Sequence, residues 1–94
     1  MTRERYFVYL MTNKTDSVIY VGVTNDIRRR VNEHRSGVVD GFTKRYHVDK
    51  LVYYEIYNDI FLAIGREKQI KRWIRKKKNE LVETKNPKWE DISV

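Results

Sequence analysis

Three short apolar runs along the chain predict three β-strands. The first, Tyr6–Met11, is continuously apolar and aromatic, and it is too short for a helix. The second, Val18–Val23, follows it after the polar turn residues Asn13–Ser17. The third, Leu51–Tyr57, is rich in β-branched and aromatic residues. Because a short turn joins the first two runs, we expect them to pair as an antiparallel hairpin.

The second strand is followed by the pattern of an amphipathic helix. Thr24–Asp26 are residue types that cap helices, and Ile27 and Val31 then repeat at a spacing of one turn. The helix is expected to stop near Ser36-Gly37. The segment that follows, Val38–His47, has no clear period and predicts a loop.

A long helix is predicted after the third strand. Asn58-Asp59 would cap a helix from Ile60 to about Lys76, and a shorter helix is expected around Glu80–Thr84. Asn86-Pro87 would end it. The predicted order is therefore β-β-α-β-α-α, an α/β fold in which residues 1–94 form one domain.

Composition excludes several kinds of chemistry. The chain has 94 residues, of which 40% are hydrophobic and 13% aromatic, so we expect it to fold. Without cysteine it has no disulfide partner, no thiolate zinc site and no cysteine nucleophile. No apolar run approaches the ~20 residues that span a bilayer, and the first five residues lack a signal-peptide pattern. We therefore expect a cytoplasmic protein without a membrane partner.

The basic charge is concentrated in one segment. The formal net charge is +7, and Arg66–Lys78 holds eight basic residues against one acid, whereas the rest of the chain is balanced. A second basic stretch spans Arg28–Arg45. A solvated helix face would explain such a run, but two of them on a small domain favour a nucleic-acid partner.

Three charged or polar side chains fall on apolar helix faces. Arg30 and His34 share the face of Ile27 and Val31, and Glu67 lies near the middle of the apolar stripe of the long helix. A charge in such a place needs a partner. Arg30 could pair with Glu55 or Glu67, and Glu67 could equally bind a metal ion.

The two paired strands carry tyrosines that have a structural and a chemical interpretation. Tyr9 and Tyr20 are most simply core residues of a sheet. A tyrosine acts as a base only if nearby cations favour the phenolate, because its ordinary pKa is ~10. Gly22 leaves a patch of the sheet bare, which indicates a bulge or the close approach of a ligand backbone.

Taken together, these residues resemble the motifs of the GIY-YIG nuclease superfamily, and most closely its small stand-alone members in bacteria. Tyr20-Val21-Gly22 corresponds to Tyr-Ile-Gly, whereas Phe7-Val8-Tyr9 is a degenerate form of Gly-Ile-Tyr. Arg30, His34 and Glu67 follow at the spacing of the family. Val23 stands where DNA-repair excinuclease members carry lysine, so any role of that lysine is absent here or supplied elsewhere.

The resemblance implies a three-stranded antiparallel sheet flanked by helices, and a metal-dependent endonuclease that hydrolyses phosphodiester bonds in DNA or structured nucleic acid. It implies that Glu67 ligates one Mg²⁺ or Mn²⁺ ion and that Tyr20 is the general base, with Tyr9 sharing or relaying that role. Arg30 would neutralise phosphoryl charge, and His34 would orient a tyrosine or transfer a proton. The residues expected to bind nucleic acid are Arg28, Arg29, Tyr46, Lys68, Lys71, Arg72, Arg75 and Asn86.

A second hypothesis keeps this fold and removes the catalysis. In that case the chain is a nucleic-acid-binding module, and Glu67 and Arg30 serve only as structural charges. Binding of a divalent ion at Glu67 discriminates between the two hypotheses. We expect a monomer under either of them.

Overall fold

The fold is a three-stranded antiparallel sheet with helices on both faces. The computed structural model describes residues 4–39 and 41–94; residues 1–3, which belong to the segment searched for a signal peptide, and Asp40, which belongs to the predicted loop, lie outside it. The elements in chain order are β1 (Tyr6–Thr12), β2 (Ile19–Thr24), α1 (Ile27–Arg35), α2 (Gly41–Arg45), β3 (Lys50–Tyr57), α3 (Ile60–Lys71) and α4 (Arg75–Glu83). The strand order is β2-β1-β3, so β2 lies at an edge. The predicted fold class is confirmed.

Alternation along β1 divides the core into two layers. Val8 and Leu10 face α3 and α4, where they pack with Ala63, Ile70 and Val82. The intervening residues face α1, and the layer there contains Tyr9, Met11, Ile27, Val31, Val48 and Leu51. Successive strand residues point to opposite faces of a sheet, so β1 supplies both layers.

A register shift in β3 adds a residue to the first layer. Leu10 pairs with Tyr53 and Met11 pairs with Leu51, so Val52 is the extra residue of a bulge. Leu51, Val52 and Tyr53 are consequently all buried, although they are consecutive. The unbroken run of apolar and aromatic residues from Leu51 to Tyr54 reflects the two packed faces of the sheet.

The long helix predicted for Ile60–Lys76 is wrong, because the chain breaks at Arg72–Ile74. Helix α3 ends at Lys71, and Ile74 has extended backbone angles (φ −66°, ψ 159°) where it precedes α4. Because of this break, the chain turns back and Trp73, Leu81 and Val82 pack in the first core layer. Ile74, which would lie on the apolar stripe if the helix continued from Ile60, is 72% exposed. The basic segment therefore spans two helices.

The predicted loop at Val38–His47 also contains a short helix. Helix α2 occupies Gly41–Arg45 and buries Thr43. Its five residues carry too little periodicity to be recognised in the sequence. Buried Val39 and Val48 lie on either side of it and anchor the segment to the rest of the domain.

A buried carboxylate network joins β3 to α3. Glu55 accepts hydrogen bonds from Tyr53 (2.5 Å), from Tyr57 (2.8 Å) and from both Nε and Nη2 of Arg66 (3.0 Å each). Burial opposes ionisation of Glu55, but the bonds from Arg66 and the two tyrosines outweigh it and lower the pKa of Glu55. Glu55 is thus the partner of Arg66, and the interpretation that it pairs with Arg30 is wrong.

The network makes stability depend on pH through Glu55. A carboxylate with a lowered folded-state pKa adds stability above its ordinary value, near 4.5, and loses that contribution as the pH falls through the folded value. We expect Glu55→Gln to lower the free energy of unfolding by about 1–3 kcal/mol at neutral pH. The difference between the two proteins should shrink toward acid. Urea unfolding of both across this range measures it, and a difference independent of pH would contradict it.

Candidate active site

The phenol oxygen of Tyr9 is the centre of a polar cluster between the sheet and α1. Arg30 Nε donates a hydrogen bond to it at 3.2 Å, and Nε2 of His34 lies at 3.2 Å. Tyr9 is fully buried and His34 is 4% exposed. Helix α1 places both partners here because Arg30 and His34 are four residues apart, so their side chains share one face.

Tyr20 completes the cluster as its more exposed member. Its ring lies 6.1 Å from that of Tyr9 and 5.1 Å from that of His34, measured between centroids. It is half-buried, whereas Tyr9 is fully buried. The structure thus brings together four of the five residues predicted to be catalytic.

Gly22 makes room for Tyr9. The two residues are cross-strand partners, and a Cβ atom on Gly22 would lie 2.5 Å from both Cζ and the hydroxyl oxygen of Tyr9. The predicted bulge or ligand approach at Gly22 is therefore wrong, because the ring of Tyr9 covers the bare strand. Because Gly22 has no side chain, the ring of Tyr9 can lie against β2. Its hydroxyl there is within 3.2 Å of Arg30 and His34 on α1.

This packing predicts the effect of a methyl group at Gly22. Tyr9 is enclosed on all sides, so Gly22→Ala should displace its phenol from Arg30 and His34 and cost about 1–3 kcal/mol of stability, as overpacking does. Chemical denaturation measures the cost. The alanine variant of exposed Gly41, where a Cβ would meet nothing within 4 Å, is the matched control. Equal stability of the two variants would contradict this account.

Burial makes Tyr9 a poor base. Desolvation, only partly offset by the hydrogen bond from Arg30, raises the pKa of Tyr9 to about 12. Tyr9 is consequently a neutral phenol at neutral pH, able to donate its proton to Nε2 of His34. The raised pKa disfavours the phenolate that a base would need, so a shared base role for Tyr9 stays a prediction that this burial does not support.

Arg30 stays charged and partly accessible. The hydrogen bond to Tyr9 raises the pKa of Arg30, and its side chain is 33% exposed. Its Nη1 donates to Oε1 of Glu33 at 3.2 Å. The two ion pairs considered for Arg30 from the sequence are both wrong, since its carboxylate partner is Glu33, one turn along its own helix.

Glu67 is carried by a different helix from Arg30 and His34. It belongs to α3, whose buried residues pack in the first core layer, whereas α1 packs in the second, and the meeting of Glu67 with the other four residues in one site stays a prediction. Its side chain is 13% exposed, and Oε2 lies 2.7 Å from Nζ of Lys71. Across residues 4–39 and 41–94, no group of three or more histidine, aspartate or glutamate side chains could hold a metal ion.

A single carboxylate still fits one class of metal site. Mg²⁺ keeps several waters and is commonly bound by one or two carboxylates together with substrate phosphates. The donor set of Glu67 alone is suited to an ion that arrives with a phosphate. Lys71, whose side chain is 52% exposed, occupies one carboxylate oxygen and would have to move away.

A groove at the edge strand β2 connects the face of the sheet that α1 covers with the face that α3 covers. Its volume is about 350 Å³, and Arg30 of the tyrosine cluster forms one wall while Ile60 and Ile64 of α3 form the other. Glu67 follows Ile64 by three residues, so it lies on the same side of α3, roughly one turn further along. A strand of nucleic acid crossing β2 could reach both walls.

The residues predicted to bind nucleic acid differ in what the fold leaves free. Arg29, Tyr46, Lys68 and Arg72 are exposed. Arg28 is exposed but donates through Nε to the carbonyl of Val94. Tyr46 stacks beside Phe42, with ring centroids 5.1 Å apart.

Two of those residues have structural roles instead. Asn86 is 8% exposed; its amide nitrogen donates to the carbonyls of Val52 and Glu90, and its oxygen accepts from the nitrogen of Glu90. Arg75 donates to the carbonyls of Asp16 and Ser17 and to the side chain of Asn79. Both fasten surrounding segments, so we leave Asn86 and Arg75 out of the candidate interface.

Sequence reasoning missed Glu33 and the groove residues. The spacing of Arg30 and Glu33, three residues apart on one helix, was the available signal for the ion pair. Nothing in the sequence indicated that Thr24, Asn25 and Ile60 would share a groove, because β2 and α3 are far apart along the chain.

Within the part of the chain that is described, no helix is long and apolar enough to span a bilayer.

Comparison with known proteins places this geometry in a family. The model of the GIY-YIG catalytic domain matches residues 5–80. A UPF0213 protein of Haloquadratum walsbyi is 35% identical over 78 residues, covering 83% of this chain and 86% of the relative. A UPF0213 protein of Clostridium perfringens is 33% identical over 85 residues, covering 90% of each.

A solved structure agrees with these relatives. The solution NMR structure of a UPF0213 protein from Bacillus halodurans has a TM-score of 0.59 and 30% identity, covering 93% of this chain and 92% of that one. The fold and the tyrosine cluster define a small α/β domain of the kind found in nucleases. The chain belongs to the GIY-YIG family, and its relatives are UPF0213 proteins, a name that carries no specific activity.

Proposed function

We propose that this protein is a metal-dependent endonuclease that hydrolyses phosphodiester bonds in DNA, including structured or branched DNA. The observation that carries the proposal is the Tyr9 hydroxyl, to which Arg30 donates and beside which Nε2 of His34 lies. A preorganised cation next to a tyrosine and a histidine is suited to stabilising charge on a phosphoryl group. The membership of the GIY-YIG family supports the same reaction.

Each member of the cluster has a proposed task. Tyr20, the more accessible tyrosine, takes the proton of the attacking water in its phenolate form, the form that a nearby cation favours, and becomes a neutral phenol. Arg30 contacts the phosphoryl oxygens and neutralises the charge that develops there. Tyr9 holds Arg30 and His34 in place, and His34 orients the phenols or transfers a proton.

Glu67 is the proposed ligand for one Mg²⁺ or Mn²⁺ ion. When bound, such an ion supplies charge stabilisation at the leaving oxygen. The side chains of the groove bind the nucleic-acid strand where it crosses β2, between the wall that contains Arg30 and the wall formed by α3. The exposed cations on these elements, Arg29, Lys68 and Arg72, would hold neighbouring phosphates.

The experiment for this proposal is a cleavage assay on labelled substrates. The purified protein is incubated with duplex, flapped and branched DNA and with RNA, in Mg²⁺, in Mn²⁺ and in chelator. Cleavage of at least one DNA substrate that requires the divalent ion is the expected result. Binding to all of them without cleavage under any condition would overturn the proposal.

One observation favours the alternative, a nucleic-acid-binding module without catalysis. Glu67 is already paired with Lys71, and it is the sole acidic residue of the basic segment. If that pair is purely structural, a divalent ion will neither bind at Glu67 nor alter the affinity for DNA. The ion dependence in the assay therefore separates the two functions.

A further inference from the structure

The groove at the β2 edge has two kinds of wall. Val23, Ile60, Ile64 and the ring of Tyr6 give it apolar surface, whereas Arg29 and Arg30 give it positive charge. Thr24 and Asn25 add hydrogen-bonding groups at its floor. A ligand with flat apolar faces, a polar edge and an attached anion matches this lining, and a nucleotide has these properties.

An exposed aromatic residue, Phe61, directly follows the groove-lining residue Ile60 on α3. It is 80% exposed, the highest value among the exposed large hydrophobic side chains of the described residues. On α3 it lies about 80° around the helix from the groove-facing residues Ile60 and Ile64, on the side away from the buried Ala63. Its backbone nitrogen donates to Oδ1 of Asp59 at 2.8 Å, which fixes the start of the helix.

The helix surface next to Phe61 is bare. Gly65 follows it by four residues, and a Cβ atom there would meet nothing within 4 Å. A glycine inside a helix costs about 1 kcal/mol relative to alanine, and among residues 4–39 and 41–94 no close contact requires it here. Lys68, exposed one turn further on, can reach a phosphate beside this surface.

We propose that this groove, together with Phe61, binds an unpaired nucleobase, so that the protein selects nucleic acids with an unpaired nucleotide next to the cut. The inference rests on the proposed function, because Arg30 belongs to both the groove and the tyrosine cluster. A base inside a duplex has both faces stacked, so only an unpaired base can offer a face to Phe61. The cationic wall favours a nucleic acid over a protein partner.

The test is a binding measurement that needs no catalysis. Fluorescence anisotropy in chelator compares a duplex with the same duplex carrying one extra unpaired adenine. Phe61→Ala should weaken binding of the bulged duplex roughly 5- to 100-fold, the range for loss of one aromatic stacking partner, while leaving the plain duplex nearly unchanged. Phe61→Tyr, which keeps the ring, should restore the preference.

Leu62→Ala is the matched control. Leu62 is also exposed, at 62%, but it lies about 180° around α3 from the groove. An equal effect of the two alanine variants, no effect of Phe61→Ala, or equal weakening of both duplexes would overturn the inference. The readout here is binding in chelator, so it is independent of the cleavage assay. A preference for the bulged duplex without cleavage in that assay would refute the nuclease proposal alone. Cleavage without a preference for the bulged duplex would refute only this subsite.

Discussion

Replacing Glu67 with glutamine is expected to abolish detectable metal-dependent cleavage while leaving the fold intact. Glutamine keeps the size of the side chain and one oxygen for Lys71, and it removes the anionic oxygen that a divalent ion requires. The structural cost should be small although the Glu67 side chain is only 13% exposed, because glutamine still accepts a hydrogen bond from Lys71 and an i,i+4 ion pair contributes only about 0.3–0.5 kcal/mol. Single-turnover cleavage and thermal unfolding of the same preparation measure the two effects.

A glutamate on the other basic helix provides the control for Glu67. Glu80 is an exposed residue of α4, and Glu80→Gln removes the same charge from the chain. We expect the Glu80 variant to cleave at the rate of the unmodified protein. If Glu67→Gln retains most of the cleavage, or if it unfolds the protein, Glu67 is a structural residue and the binding module is the better description.

Loss of Arg30 should have the next largest effect. Arg30→Ala is expected to lower the cleavage rate at saturating substrate by roughly 10²–10³-fold, as loss of a preorganised charge stabiliser does. In the unmodified protein, the hydrogen bond from Arg30 lowers the pKa of Tyr9. The substitution removes this bond and should cost about 1–3 kcal/mol of stability. The rate should therefore be measured well below the melting temperature of the variant.

Arg29 separates a catalytic charge from a binding charge. It precedes Arg30 on α1, and its side chain is 59% exposed. Arg29→Ala should weaken binding several-fold through a lost phosphate contact and leave the rate at saturation unchanged. If Arg30→Ala behaves like Arg29→Ala, Arg30 does not act on the reacting phosphate.

The strands and α1 could be predicted because local pattern decides them. The apolar runs at β1, β2 and β3 are long enough to be distinctive, and Asp26 caps α1 through a bond from the nitrogen of Arg29, as its residue type indicates. The shared face of Arg30 and His34 followed from helical geometry alone. No pattern in the sequence, however, indicated that both side chains would contact the hydroxyl oxygen of Tyr9.

The features that escaped prediction depend on tertiary packing. The break before Ile74 lies in a sequence of helix-forming residues without glycine or proline, and it exists because Trp73, Leu81 and Val82 pack on the sheet. The packing of α3 and α1 in different core layers follows from which face of the sheet each helix covers, and a helical wheel carries no such information. The prediction that another group lies close to Gly22 was correct in kind. The group is the ring of Tyr9 and not a ligand backbone.

The central claim is that Glu67 holds a divalent ion together with a phosphate of the bound strand. Its most direct test is thermal unfolding of the unmodified protein and of Glu67→Gln, each bound to DNA, with and without Mn²⁺. Ion binding to the folded state raises the melting temperature by mass action. We expect Mn²⁺ to raise it for the unmodified protein and to have no such effect on Glu67→Gln. The same rise in both proteins, or no rise in either, would contradict the claim.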